Sequence, residues 1–440
     1  MAWNVVIAGG GFGGLQAART LERVLDRHSA RITLVNDVNF MLYTPLLPGA
    51  AAGTLEPRHV VVPLREQLRR TDLRLGTVLG ADPAARRLNV RSFEGHVEAL
   101  EYDQLIVALG SVSRALPIPG LAEHARGFKT LPDAIALRNR VLGCLEAAET
   151  LDDPAARAPW LTFVFVGAGY AGLEGAAELQ DFAIDVLDHY PRCRTQGVNF
   201  VLVEAAPRVM GEIPEPLARF ATDELRGRGM DIRTSTTLEE VTETSARLSD
   251  GTTLATRTVV WTAGVKPHPV VARLGLPLDD GGRIRVDRTM RVDGVDGVWA
   301  IGDAAAVPDP AQRLKRSTPP TAQHAIRQGR RVARNVAAVL GRGQPKPFRY
   351  RTLGVFVDMG RGEAVAQTLT LRWRGRFAWW LARSYHLALM PSLGRKLRLL
   401  TDWNVGLLFG RDTAELGQLG HPAPIGGESE LFEEVSAGGT

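Results

Sequence analysis

The chain has 440 residues, of which 45% are hydrophobic and 23% charged, and its formal net charge is +5. These values exclude a disordered or fibrous chain and predict a globular protein of two or three domains. Two cysteines, Cys144 and Cys193, give neither a disulfide framework nor a C-x-x-C pair, which favours a reducing compartment. No uncharged apolar run approaches about 18 residues, and Met1–Asn4 leaves no room for a signal peptide before the first predicted strand.

The first motif is an apolar predicted strand ending at Ala8, followed by a glycine turn and a predicted helix from Leu15 to about Asp26. In a G-x-G-x-x-G frame the first glycine allows a tight turn and the second lets a pyrophosphate approach the backbone. The third packs the helix against the strand. The frame is filled by Gly9, Gly11 and Gly14, with Phe12 and Gly13 inside it. The turn predicts a dinucleotide phosphate site, although a single copy is weak support.

The next predicted strand ends at Asn36 and Asp37. A dinucleotide fold usually has an acidic residue here, about 20 residues after the last glycine, to bind ribose hydroxyls. Asn36 occupies that place and Asp37 follows it. An amide also hydrogen-bonds a ribose, but more weakly than a carboxylate does.

A second copy of the motif lies far downstream. The apolar stretch Leu161–Val166 leads into a second G-x-G-x-x-G frame, and the following predicted strand ends at Glu204. Glu204 is predicted to pair with both adenosine ribose hydroxyls and to repel a 2′-phosphate, which favours NADH over NADPH. The alternative is an exposed acid at a strand end. The frame consists of Gly167, Gly169 and Gly172, with Tyr170 inside it.

Three later segments bear on which dinucleotides are bound. Ala108-Leu109-Gly110 ends a buried predicted strand, Gly264 lies in Trp-Thr-Ala-Gly-Val, and Gly302-Asp303 ends a strand predicted to return to the first fold. Asp303 is predicted to hydrogen-bond a flavin ribityl hydroxyl. A predicted helix from Thr321 and Ala322 to Leu340 would aim its N-terminus at the flavin ring. Two such folds imply two dinucleotides, or one dinucleotide and a relic.

In this order the motifs are similar to those of two-dinucleotide-fold flavoprotein reductases. They most closely resemble the type II NADH:quinone oxidoreductases, which do not pump protons, and the resemblance covers about residues 3–412. Its more particular marks are Asn39-x-x-Leu42-x-x-Pro45-Leu46-Leu47, Pro319–Ala325 and Phe348-x-Tyr350-x-x-Leu353-Gly354.

The resemblance implies FAD in the first fold, NADH in the second, and a menaquinone or ubiquinone that reaches the flavin edge through a tunnel at the membrane face. It implies that Glu174 lies near nicotinamide and flavin and that Gln323 lies at the quinone end. The FAD residues would be Gly9, Gly11, Phe12, Gly13, Gly14, Asn36, Asp37, Ala108, Leu109, Gly110, Gly302, Asp303, Thr321 and Ala322. The NADH residues would be Gly167, Gly169, Tyr170, Gly172, Glu204 and Gly264.

The implied mechanism is hydride transfer from NADH to the flavin and then electron transfer to the quinone, so we expect no protein nucleophile and no metal. Glu174 would orient nicotinamide or relay a proton; the alternative is a helix-start acid that favours the helix dipole. Arg327 stands where the family has an amide, and we expect it to point to solvent. The alternative is a contact with the quinone or with an acid. His324 is expected to be structural.

We therefore expect an α/β protein with two Rossmann-like domains of the pyridine nucleotide-disulfide reductase type and a C-terminal membrane-associating segment. The expected FAD domain is discontinuous, over 1–115 and 266–345, and the NADH domain covers 116–265. The interfacial region would be 346–412, and 413–440 would be a flexible tail.

The membrane prediction comes from residues 372–409. Seven cations and no acid lie between Arg372 and Arg398, and four of the eight tryptophans lie between 373 and 403. Cations beside tryptophans on short apolar helices are typical of a segment lying on anionic lipid. We expect a peripheral protein on the cytoplasmic side of a membrane and no nucleic-acid role. Alternatively, the apolar face packs against the flavin domain or forms a homodimer.

Two other functions fit the motifs. One is a soluble NAD(P)H-dependent reductase that donates electrons to a protein or another small acceptor, and the other is a flavoprotein that senses NADH. A thiol–disulfide relay and a sulfide:quinone reductase are excluded, because Cys144 and Cys193 lie in no motif that would place them at the flavin.

Overall fold

The computed structural model describes residues 2–309, 317–352 and 354–415. Its first third forms most of one sheet. The elements are β1 (Trp3–Ala8), α1 (Phe12–Val24), β2 (Ala30–Asn36), β3 (Phe40–Leu42), α2 (Leu47–Ala51), β4 (Val61–Pro63), α3 (Leu64–Gln67), β5 (Asp72–Asp82), β6 (Arg87–Ser92), β7 (Val97–Glu101), β8 (Gln104–Val107) and β9 (Ser111–Ser113).

The middle of the chain forms the second sheet. Its elements are α4 (Leu121–His124), β10 (Ala125–Gly127), α5 (Leu131–Glu149), α6 (Pro154–Arg157), β11 (Thr162–Val166), α7 (Tyr170–Val186), α8 (Pro191–Gln196), β12 (Asn199–Val203), α9 (Glu215–Gly227), β13 (Asp231–Arg233), β14 (Leu238–Val241), β15 (Ser245–Leu248), β16 (Thr253–Ala255), β17 (Thr258–Trp261) and β18 (Val265–Pro267).

The last part returns to the first sheet and then adds a C-terminal unit. Its elements are β19 (Ile284–Arg285), β20 (Val298–Ala300), β21 (Ala305–Ala306), α10 (Ala322–Ala337), which continues as a π-helical turn over Ala338–Arg342, β22 (Gly354–Asp358), β23 (Ala364–Thr368), β24 (Leu371–Arg374), α11 (Gly375–Leu389) and α12 (Leu393–Phe409).

The first sheet has seven strands in the order β20-β8-β1-β2-β5-β6-β7. β1 pairs in parallel with β2 and β8, and Val5–Ala8 are buried because helices and loops cover both faces of a parallel sheet. β20 pairs in parallel with β8, so the predicted return of this strand to the first fold is confirmed. An antiparallel layer of β5, β6 and β7 extends this sheet, because β5 pairs in parallel with β2 and antiparallel with β6.

The second sheet has five strands in the order β10-β17-β11-β12-β13. All of its pairings are parallel. Phe163 and Phe165 stack on Phe200 with ring centroids 4.9 and 6.2 Å apart, respectively, and this aromatic layer is buried. The two nucleotide-type sheets therefore have separate cores.

The chain passes between the two sheets twice, and the two passages pair with each other. β9 leaves the first sheet, β18 leaves the second, and they form an antiparallel ribbon. The indole Nε1 of Trp261 donates to the Arg114 carbonyl oxygen at 2.8 Å, which ties the end of β17 to the chain after β9. This double crossing fixes the position of one sheet, with its glycine turn, relative to the other.

Helix α1 begins earlier than the sequence suggested, at Phe12 instead of Leu15, because Gly11 already acts as its N-cap. It packs against α10 at very short range. A β-carbon built on Gly329 of α10 would overlap the Gly13 carbonyl oxygen of α1. Only glycine permits this approach.

The C-terminal unit is a three-stranded antiparallel sheet, β22-β23-β24, followed by α11 and α12. The short apolar helices predicted within 372–409 are α11 and α12. Leu371–Arg374 instead form β24, so α11 begins only at Gly375, where φ is +75°. Leu399 of α12 is buried in the core of the first sheet. Within the described ranges, no helix has the length and hydropathy to cross a membrane. Most of the expected tail, from residue 416 onward, lies outside those ranges.

The contact between α1 and α10 predicts the effect of Gly329→Ala. The added methyl group must push the helices apart, and overpacking of this kind costs about 1–3 kcal/mol of the free energy of unfolding. Urea unfolding followed by circular dichroism measures it.

The matched control is Gly227→Ala at the end of α9, where no atom lies within 4 Å of a built β-carbon. Alanine favours helix over glycine, so this variant should be at least as stable as the parent. Equal stability of both variants would contradict the close helix contact.

Candidate functional site

A cavity of about 1060 Å³ opens where the carboxyl ends of β1 and β8 meet the N-termini of α1, α7 and α10. Ligands of parallel α/β sheets bind at such edges. Most of the site residues suggested by the sequence line this cavity. They are Gly11, Phe12, Gly13, Asn36, Asp37, Ala108, Leu109, Gly110, Tyr170, Glu174, Gly264, Gly302, Asp303, Thr321, Ala322 and Gln323.

The remaining glycines shape the turns behind the cavity surface. Gly9 has φ +104°, and a β-carbon on Gly14 would collide with the Gly9 carbonyl oxygen. Gly167 also has φ +104°, and a β-carbon on Gly172 would collide with the Gly167 carbonyl oxygen. No atom lies within 4 Å of a β-carbon built on Gly11 or on its counterpart Gly169, so both turns leave open space at the second glycine. The two turns therefore have the same geometry.

Glu204 and Asn36 occupy equivalent places, one at the end of β12 and the other at the end of β2. The Asn36 Oδ1 accepts from the Gly10 N–H at 2.7 Å. The Glu204 Oε2 accepts from the Ala168 N–H at 2.7 Å, and its Oε1 accepts from the Ala206 N–H at 2.8 Å. Each side chain closes its glycine turn. The amide of Asn36 therefore makes the same structural contact as the carboxylate of Glu204 and differs from it in having no charge. Glu204 does not line the large cavity.

Asp303 is part of a hydrogen-bonded series that the sequence did not indicate. Ser111 Oγ donates to Asp303 Oδ2 at 2.5 Å, and Lys129 Nζ donates to Ser111 Oγ at 2.8 Å. Burial lowers the pKa of the Lys129 ammonium, and the nearby Asp303 charge opposes that shift. Lys129 lies between β10 and α5, outside every motif, and only the crossing of β9 beside it brings the three groups together.

Glu174 lies in the second turn of α7, whose first turn contains no acid, so its interpretation as a helix-start acid is wrong. Its Oε1 accepts from the Asp358 N–H at 3.0 Å. Burial raises the pKa of Glu174 well above its ordinary value. Glu174 lines the cavity.

Gln323 lines the cavity from the first turn of α10. Its Nε2 donates to the Gly354 carbonyl oxygen at 3.0 Å, and its Oε1 accepts from Tyr350 Oη at 2.6 Å. The Arg327 guanidinium lies over the Tyr350 ring, 4.1 Å from its centroid, so the expectation that Arg327 points to solvent is wrong. His324 is buried and its Nδ1 lies 2.8 Å from Thr321 Oγ1, which fits the structural role expected of it.

An aromatic cluster closes the cavity beside the C-terminal unit. Tyr43 Oη lies 3.4 Å from His386 Nδ1, and Phe356 stacks on Tyr385 with centroids 4.5 Å apart. Burial lowers the pKa of His386 to about 4, so its ring is neutral at ordinary pH. The sequence assigned α11 to a membrane face and did not indicate that three of its residues, Tyr385, His386 and Leu389, line this cavity. Tyr43 lies within a recognised motif, and that was the one available signal.

The residues present fit a bound dinucleotide with a ribityl chain. The first turn offers an open approach at Gly11 and a helix N-terminus, and Asp303 lines the same cavity. Both cysteines are buried outside the cavity lining, in the core of the second sheet. Among the described residues, no cluster of three or more histidine, cysteine or acidic side chains could hold a metal ion.

Comparison with known proteins gives consistent matches along the chain. Residues 3–329 match the pyridine nucleotide-disulphide oxidoreductase family. The type II NADH:quinone oxidoreductase Ndh of Mycobacterium tuberculosis is 32% identical over 427 residues, covering 93% of this chain and 89% of that protein. A probable NADH dehydrogenase of Dictyostelium discoideum is 30% identical over 417 residues, covering 93% and 90%.

The fold agrees with these relatives. The structure of NDH2 from Plasmodium falciparum in complex with NADH superimposes with a TM-score of 0.88 at 18% identity, covering 94% of this chain and all of that one. The chain therefore belongs to the pyridine nucleotide-disulphide oxidoreductase family and, within it, to the type II NADH:quinone oxidoreductases.

Proposed function

We propose that this chain is an FAD-dependent NADH dehydrogenase that passes electrons from NADH to a membrane quinone and does not pump protons. The observation that carries this proposal is a large cavity, which joins the first glycine turn, Glu174 in the second turn of α7, and the aromatic cluster at the C-terminal unit. Relatives named as NADH:quinone and NADH-ubiquinone oxidoreductases support it.

FAD would bind to the residues around the first glycine turn, and when bound it supplies the two-electron chemistry. The open backbone at Gly11 would receive the pyrophosphate at the N-terminus of α1. Asp303, oriented by Ser111, would accept a hydrogen bond from a ribityl hydroxyl. In this proposal residues 1–115 and 266–345 form the FAD domain.

NADH would bind to the second turn, within residues 116–265. Glu204 is oriented by two backbone N–H groups, and its oxygens retain lone pairs for the adenosine ribose hydroxyls. Tyr170 and Glu174 lie on the first two turns of α7 and line the cavity, so they would position nicotinamide against the flavin. Close contact of the two reacting rings is the requirement for hydride transfer.

The quinone would enter at the aromatic cluster of Tyr43, Phe356, Tyr385 and His386. These rings exclude water, and Gln323 offers a polar group at the same side of the cavity. Whether the acceptor is menaquinone or ubiquinone depends on the ring substituents that this cluster admits.

The C-terminal face supports membrane binding. On α11 and α12 large apolar side chains stand in solvent; Trp380 is 67%, Leu397 57% and Leu408 76% exposed. Cationic side chains lie on the same two helices. Arg383 is not part of this exposed face, because it turns inward with its guanidinium 3.8 Å from the Trp379 ring centroid. An apolar face bordered by cations suits the anionic cytoplasmic leaflet. The same face leaves room for a homodimer contact.

The proposed function predicts the colour changes of the purified holoenzyme. Under anaerobic conditions NADH should bleach the flavin absorbance. Mixing the reduced enzyme with a water-soluble quinone should then restore this absorbance, and both changes are followed in a stopped-flow instrument. Faster reoxidation by a ferredoxin-type carrier than by any quinone would favour the soluble-reductase alternative. Slow reoxidation by every acceptor would favour an NADH sensor.

Glu204→Ala tests the nucleotide preference. Removing the carboxylate deletes the ribose acceptor and the charge that repels a 2′-phosphate, so the NADH/NADPH ratio of kcat/KM should fall about tenfold, or ~1.4 kcal/mol. Glu215→Gln, which changes a 66%-exposed acid on α9, is the control and should leave the ratio unchanged. An unchanged ratio in Glu204→Ala would refute the ribose assignment.

Changing Trp380, Leu397 and Leu408 together to serine tests membrane binding. Each is exposed, so folding should be unaffected, whereas each apolar side chain inserted in lipid contributes about 1.5–3 kcal/mol. Sedimentation with phosphatidylglycerol vesicles should show at least about a tenfold loss of binding. Phe93→Ser removes a 93%-exposed ring at the β6–β7 turn and should bind like the parent. Undiminished binding of the triple variant would contradict this surface assignment.

A further inference from the structure

The charged side chains around the large cavity are mostly acidic. Four acids and one lysine are among the described residues that line it, and no arginine is among them. The acids are Asp37, Glu174, Glu212 and Asp303, and the lysine is Lys129. The helix N-termini that open onto the cavity add only about half a positive charge each.

The two histidines of the lining do not add to the positive charge near neutral pH. Burial lowers the pKa of His386 to about 4, and it also lowers the pKa of His324. Arg327 does not line the cavity and instead stacks on the Tyr350 ring. Among the described residues of the lining, Lys129 is therefore the one full cation.

The position of Lys129 is fixed at both ends of the residue. Its backbone N–H donates to Asp133 Oδ2 at 2.9 Å, and Asp133 forms with Thr130 the capping box that begins α5. At the other end, the Lys129 Nζ donates to Ser111 Oγ at 2.8 Å. The ammonium is therefore held at the cavity wall, beside the ribbon of β9 and β18.

Lys129 and Asp303 are opposite charges joined by a single hydroxyl. An ammonium can only donate hydrogen bonds and an ionised carboxylate can only accept them, whereas a hydroxyl does both. The Lys129 Nζ therefore donates to Ser111 Oγ, which in turn donates to Asp303 Oδ2 at 2.5 Å. Burial lowers the pKa of the Lys129 ammonium, but the Asp303 charge opposes that shift. Each charge therefore favours the ionised form of the other.

The proposed reaction adds negative charge to this cavity. A neutral flavin that accepts a hydride gains two electrons and one proton, and so gains one negative charge. Acids in the lining oppose that charge and a cation favours it, and both effects are stronger where water is excluded. Charged groups near a flavin are among the means by which a protein tunes its electronic properties. A fixed ammonium should therefore stabilise the reduced flavin relative to the oxidised one.

We propose that Lys129 is the counter-charge that sets the reduction potential of the flavin. Its ammonium offsets the Asp303 carboxylate and favours the negative charge that the flavin gains with the hydride. The proposal rests on the proposed function, because it requires bound FAD. Lys129 acts through its charge and its fixed position, and it transfers neither hydride nor proton.

The test is Lys129→Met in the holoenzyme, which removes the charge and keeps a side chain of similar length. The reduction potential is measured by anaerobic equilibration with a reference dye, and retained FAD by the ratio of flavin to protein absorbance. The equilibrium constant for flavin reduction should fall about tenfold, which lowers a two-electron potential by ~30 mV. Lys129→Arg keeps the positive charge and should keep the parent potential.

Lys266→Met is the matched control. Lys266 is an exposed residue of β18, in the same ribbon as Ser111, and it does not line the cavity. The same substitution there should leave the potential unchanged. Ser111→Ala separates charge from orientation, because it removes the bridging hydroxyl and leaves both charges in place. Its potential should fall less than that of Lys129→Met.

Several results would overturn the proposal. One is an unchanged potential in Lys129→Met, and another is an equal fall in Ser111→Ala or in Lys129→Arg, which would make the orientation of Asp303 the cause. If Lys129→Met does not retain FAD, Lys129→Gln is measured in the same way. An unchanged potential in that variant, or loss of FAD from both uncharged variants, also overturns the proposal. A parent protein whose flavin NADH does not reduce would instead refute the proposed function.

Discussion

The structure depends on one requirement of distance: two nucleotide turns on two separate sheets must open onto the same cavity. Hydride transfer requires its donor and acceptor in near contact, and no flexible linkage could hold two rings there. The antiparallel ribbon of β9 and β18 carries the chain across twice and joins the sheets at one place. The Ser111 hydroxyl of this ribbon also contacts both Lys129 and Asp303, so the crossing organises the cavity as well as the domains.

The two glycine turns are closed by the same type of hydrogen bond but differ in the charge of the side chain that accepts it. Gly9 and Gly167 have the same positive φ, and in each turn a side chain from the next strand accepts an N–H of the glycine loop. Asn36 does this with a neutral amide and Glu204 with a carboxylate. The turn geometry needs only an oxygen acceptor, whereas discrimination between ribose and a 2′-phosphate needs the charge.

The C-terminal unit has two different sides, and both bear on the proposed function. The outer side of α11 and α12 presents exposed tryptophan and leucine side chains. The inner side sends His386 and Tyr385 to the large cavity and Arg383 to the acids Glu178 and Asp358. One helix, α11, therefore contributes both to the exposed apolar face and to the aromatic cluster of the large cavity.

The sequence by itself determined the two glycine turns, the strands that precede them and the return of β20 to the first sheet, because each depends on local backbone geometry and short apolar runs. It also indicated the cation-rich C-terminal segment. The break between β24 and α11, the inward turn of Arg383 and the stacking of Arg327 on Tyr350 were decided by tertiary packing. The same holds for Lys129 at Ser111, Ser111 at Asp303 and Asp358 beside Glu174. The members of each pair are distant in sequence, and only the folded sheets bring them within hydrogen-bonding distance.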